Sequence, residues 1–117
     1  QHMRAYAPKL DEINARLITA FRHFKNTEFP KLYSEIMSDK DNPQTWQEKW
    51  LPISSEENFI QYYKDKLSEY AMKDKRRYYE FLNPEVLEHF EGRIRSFFKE
   101  HVKSQSKWRY LESKSLV

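Results

Sequence analysis

The 117-residue chain contains one glycine and no cysteine beside nineteen aromatics (8 Phe, 8 Tyr, 3 Trp), with 38% hydrophobic and 33% charged residues. So little glycine excludes Gly-rich phosphate loops and most hairpin-built β folds, and the absence of cysteine excludes a disulfide scaffold and points to the cell interior, nucleus or cytoplasm. The net charge of +3 is uneven: residues 1–60 carry 8 basic and 9 acidic side chains and residues 61–117 carry 13 and 9, so an acidic partner is drawn to the second half.

The length fits one domain, placed at residues 4–112. Gln1, His2 and Met3 read as a cloning remnant and residues 113–117 as a frayed tail. From Tyr6 to Phe24 the apolar positions Leu10, Ile13, Leu17, Ile18 and Phe21 step by three and four, which predicts a first amphipathic helix with Pro8 in its opening turn. Phe29, Leu32, Tyr33, Ile36 and Met37 predict a short second helix, with Pro30 as an early residue. Asn42-Pro43 is a cap-then-proline signal, and Trp46 and Trp50 share a face of a brief third helix that Pro52 is expected to stop.

Ser54 and Glu57 have capping-box spacing and predict a long helix carrying Phe59, Ile60, Tyr63, Leu67 and Tyr70 on one stripe, faltering within residues 73–77. Asn83-Pro84 opens the last predicted helix, whose apolar arc takes in Phe90, Ile94, Phe97, Phe98, His101 and Trp108 and runs toward Leu111. Gly92 falls in its middle, where a close helix crossing is the expected reason for a residue of poor helix propensity. The expected architecture is therefore all-α: a compact bundle of four to five helices with a long C-terminal amphipathic helix.

The sequence carries no cysteine nucleophile, HExxH, GxSxG or Walker loop. His23, His89 and His101 lie apart, and no two of them have the i, i+4 spacing that presents a metal from one helix face. Glu85 and His89 do, but as an ordinary surface pair. No metal, cofactor or catalytic residue is expected.

Basic and aromatic side chains are the remaining signal. Arg95, Lys99, Lys103 and Lys107 recur every four residues as a ridge opposite the apolar stripe, with Tyr110 extending the same face. Lys73, Lys75, Arg76 and Arg77, followed by Tyr78 and Tyr79, form a second patch. Trp46, Trp50 and Trp108 are candidate aromatic anchors; the first two suit a lid over a bundle end, and Trp108 is the one expected to be exposed. The leading expectation is a non-enzymatic interaction module, part of a larger protein, binding an acidic or phosphorylated protein segment through this face. The alternatives are a nucleic-acid-binding domain using the same face, set against the acidic residues along the last helix, and a homo-oligomerisation domain. No membrane association is expected.

Overall fold

The computed structural model describes residues 14–15, 17–72 and 84–115, and all of their regular structure is helical. The all-α expectation holds. The chain divides into two compact units, Gln1–Lys31 and Leu32–Val117.

In the first unit, α1 (residues 17–23) buries Leu17 and Phe21 and leads into a wide π turn, Phe24–Glu28, where Phe24 is fully buried. The rings of Phe24 and Phe29 stack with centroids 5.9 Å apart. Ile18, expected on the buried stripe, is 45% exposed, so the stripe is narrower than a 100° step allows. The π turn closes with the Phe29 N–H donating to the Phe24 carbonyl, just before Pro30 opens α2 (Phe29–Ser38). A proline has no N–H to donate and its ring crowds the carbonyl four residues back, so a register shift placed here loses no bond that the proline could have made.

The second unit begins within α2, where Ile36 is buried. Successive turns bond the Asp39 N–H to Ile36 and the Asn42 N–H to Asp39. Asn42 then caps as expected, its side-chain oxygen accepting from the Gln44 N–H at 3.1 Å with Pro43 in the first turn of α3 (Pro43–Thr45). Helix α3 passes into a second π turn, Trp46–Trp50, and a 3₁₀ turn, Leu51–Ile53. Pro52 therefore does not stop the helical path. The Leu51 N–H reaches the Trp46 carbonyl, repeating the arrangement before Pro30.

Ser55, not Ser54, caps α4 (Glu56–Met72): its Oγ accepts the Asn58 N–H at 3.2 Å and its carbonyl accepts the Phe59 N–H at 2.9 Å. Ser54 instead donates to the Leu51 carbonyl at 2.8 Å, closing the 3₁₀ turn. Helix α5 (Pro84–Phe97) packs against α4. Arg95 meets Glu56 and Lys64 meets Glu91, so the two helices run antiparallel. Between them lies an aromatic core in which Phe59 is 5.1 Å from Tyr63, 6.1 Å from Phe97 and 5.0 Å from Phe98.

The long C-terminal helix is corrected. After α5 a third π turn, Phe98–Val102, ends in a turn, and a separate helix, α6, spans Ser106–Ser115. Side chains satisfy the carbonyls released at the break: Ser104 Oγ donates to Glu100 at 2.7 Å and Gln105 Nε2 to His101 at 2.6 Å. The change of direction carries Trp108 and Leu111 into the core at 2% and 0% exposure and leaves His101, expected at a core boundary, in solvent. Residues 113–115, expected to fray, complete α6. Gly92 is exposed, and a Cβ built on it meets nothing within 4 Å, so no close crossing accounts for it.

Candidate functional site

The break separates the basic ridge into two parts with different surroundings. Arg95 Nη1 lies 2.9 Å from Glu56 and 3.1 Å from Glu57, and Lys99 Nζ lies 3.4 Å from Glu56. The hydrogen bond to Glu57, opposed by desolvation and supplemented by the charge of Glu56, pushes the Arg95 guanidinium above its ordinary pKa. Arg95 of α5 and Lys99 of the following π turn thus both pair with the first turn of α4. Lys103 sits in the turn, its N–H bonded to the Phe98 carbonyl at 2.9 Å. Lys107 and Tyr110 belong to α6. The second patch, Lys73, Lys75, Arg76, Arg77 and Tyr79, lies outside the described residues.

The three tryptophans also part company. Trp108 is buried, its indole N–H donating to the Ile53 carbonyl at 2.8 Å and its ring packed 5.3 Å from Trp50 and 5.7 Å from Phe98. The expectation of an exposed anchor at Trp108 is thus overturned, because the turn at 103–105 sends α6 back over the 3₁₀ turn. Trp50 is only 5% exposed. Trp46, half-buried, is edge-on to Trp50 at 6.3 Å and donates to the Lys40 carbonyl at 2.7 Å.

An open groove of about 950 Å³ adjoins this aromatic column, lined by the end of α2, the second π turn and α6. Met37, Trp46, Leu51 and Tyr110 contribute to its apolar surface. Leu51 is 51% exposed and Tyr110 42%, the two large apolar side chains most open to water among the described residues of this unit. On the rim stand Lys40, Asp41, Glu112 and Lys114, with the Lys114 ammonium 5.4 Å from the centre of the Tyr110 ring. Lys107 is likewise placed 5.3 Å from the centre of the Tyr33 ring.

Tyr110 and Trp46 were legible in the sequence as surface candidates; Met37, Lys40, Leu51 and Lys114 were not. Leu51 could have been suspected. It stands between buried Trp50 and buried Ile53, where any helical path turns one of three apolar neighbours outward.

The described residues contain no group of three His, Cys, Asp or Glu able to hold a metal and no helix long and apolar enough to cross a membrane. The groove brings together apolar contact area and the charged side chains of Lys40, Asp41, Glu112 and Lys114. Comparison with protein-family models, characterised proteins and solved structures gives no match.

Proposed function

We propose that the protein is a non-enzymatic helical interaction module that binds an acidic protein segment on the face formed by α6 and the second π turn. The supporting observation is the groove itself, which sets exposed Leu51 and Tyr110 and half-buried Trp46 beside a helix bearing Lys107, Arg109 and Lys114 against the single acid Glu112. Exposed apolar area rimmed by charge is what protein interfaces use for affinity and orientation respectively. Relative to the sequence reading, the contacts shift from Arg95 and Lys99, engaged with α4, to Lys107, Tyr110 and Lys114 with Trp46 and Leu51. An intracellular setting, nucleus or cytoplasm, accords with the cysteine-free sequence.

The test is fluorescence anisotropy of the full chain against an acidic phosphopeptide pool and a single-stranded oligonucleotide, at low and physiological salt, with a Lys107→Glu/Lys114→Glu variant. Peptide binding that weakens with salt and in the variant is the expected result. Tighter binding of the oligonucleotide would replace this reading with nucleic-acid recognition. Concentration-dependent sedimentation abolished by Leu51→Glu would replace it with self-association.

A further inference from the structure

The break between α5 and α6 falls in a stretch whose sequence suits an unbroken helix, and we infer that α6 exchanges between two copies of this chain, α5 and α6 straightening into one helix in the exchanged pair. The whole turn between the third π turn and α6 is Lys103, Ser104 and Gln105. Residues 93–115 contain neither glycine nor proline, and Phe90, Ile94, Phe97, His101 and Trp108 keep one 3.6-residue arc across the turn. Straightening costs no backbone bond. The Lys103 N–H, held by Phe98 in the π turn, and the Gln105 N–H, held by Val102, move to the carbonyls four residues back, those of Lys99 and His101. Ser104 Oγ already donates to the Glu100 carbonyl, a bond that serine also makes inside intact helices.

What opposes straightening is the seat of α6. Trp108 and Leu111 are buried there, with the indole N–H donating to Ile53 and the ring packed on Trp50 and Phe98. In a straight helix Trp108 lies 10 residues beyond Phe98, about 15 Å along the axis, so their 5.7 Å ring contact cannot persist within one chain. A lone straightened chain would expose Trp108 and Leu111 and leave the Ile53 carbonyl without its donor. A second copy removes both penalties, because its α6 brings the same indole N–H and the same leucine, at the same spacing, to the vacated seat. Exchange of an identical element across a short turn is a low-cost route to a dimer. Tyr110 and Lys114 travel with the exchanged helix, so each groove is rebuilt from two chains and the partner-binding face is kept.

The test is size-exclusion chromatography with light scattering on the full chain, concentrated in mild urea and returned to buffer, beside Ser104→Gly/Gln105→Gly and Ser104→Ala/Gln105→Ala variants. A dimer that persists on dilution is expected. Its yield should fall at least about tenfold in the glycine variant, which disfavours the straight helix, and rise in the alanine variant. To identify the exchange, Tyr33→Cys/Lys107→Cys is introduced into the cysteine-free chain, where the Lys107 ammonium lies 5.3 Å from the centre of the Tyr33 ring, and the thiols are joined with a bifunctional reagent. Unchanged circular dichroism of each monomeric variant verifies its fold. Covalent dimers from the dimer fraction, with intrachain bridges from the monomer fraction, are the expected result. No dimer, a dimer whose bridges are all intrachain, or one equally abundant in the glycine and alanine variants would overturn the exchange.

Discussion

Replacing Trp108 by phenylalanine tests whether this side chain is structural, as its placement requires, or an anchor for partners. The indole N–H donates to the Ile53 carbonyl at 2.8 Å within the core, and phenylalanine removes that donor while keeping a ring. A buried acceptor stripped of its donor costs about 1–3 kcal/mol. The smaller ring also gives up contact with Trp50 and Phe98 equivalent to one or two methylenes, about 1 kcal/mol more. The sum is about 2–4 kcal/mol, which in a unit of this size lowers the melting temperature by roughly 10–25 °C.

Trp46 provides the internal control. Its indole donates to the Lys40 carbonyl at the surface, where water replaces the lost donor, so Trp46→Phe costs under about 1 kcal/mol. Trp108→Ala adds a cavity to the lost bond, about 3–5 kcal/mol for the truncation alone, and brings a domain of ordinary stability to the edge of unfolding. Urea titration followed by far-UV circular dichroism measures all three. A Trp108→Phe midpoint equal to that of Trp46→Phe would refute the reasoning, for then neither the hydrogen bond nor the fit of the indole stabilises the core.

Gly92→Ala is expected to stabilise by about 0.5–1 kcal/mol, because the position is helical and exposed and a Cβ there meets nothing, with thermal melting as the check. Ser55→Ala is expected to cost about 1 kcal/mol through loss of the α4 cap, and Ser54→Ala appreciably less; denaturation of the two single variants decides which serine begins the helix. Burial, and secondarily neighbouring Tyr63, pushes the Tyr62 hydroxyl up to about 12, and burial raises Tyr63 further still. Between pH 10 and 12 the unfolded chain therefore holds fewer protons than the folded one: the stabilisation is complete below pH 10 and declines as pH rises toward 12. Ultraviolet tyrosinate titration should show a late, cooperative fraction coincident with unfolding.

Helix boundaries set by local chemistry were legible in the sequence: Asn42 caps, α2 ends at Ser38, and Phe59, Ile60 and Tyr63 face inward. The π turns were not, although two of them share a local pattern. Phe24–Glu28 precedes Phe29-Pro30 and Trp46–Trp50 precedes Leu51-Pro52, each wide turn closing one residue before a proline. A strict 3.6-residue period treats such a proline as a helix start or stop. The chain instead shifts register by one residue and continues, which is why Leu51 lies outside the predicted arc and opens onto the groove. The turn after α5 has no proline to announce it; carbonyls of Glu100 and His101 are capped by Ser104 and Gln105, residues that read locally as ordinary helix exterior.

Charge depends on the fold in a different way. The spacing of Arg95, Lys99, Lys103 and Lys107 is a local pattern, but whether a cation is available to a partner depends on which carboxylates the fold brings beside it. Glu56 and Glu57 are about forty residues away in sequence and reach Arg95 only because α4 and α5 pack antiparallel. Once they do, a four-cation ridge becomes an inter-helix clamp at one end and the α6 cations at the other. This predicts different responses to charge reversal at the two ends. Arg95→Glu faces Glu56 and Glu57 with a third carboxylate and should act on stability, whereas Lys107→Glu should leave stability nearly unchanged and act on binding. Thermal melts and peptide titrations on the same two proteins separate these effects. A binding loss for Arg95→Glu with an unaltered melting curve would return the interaction face to α5.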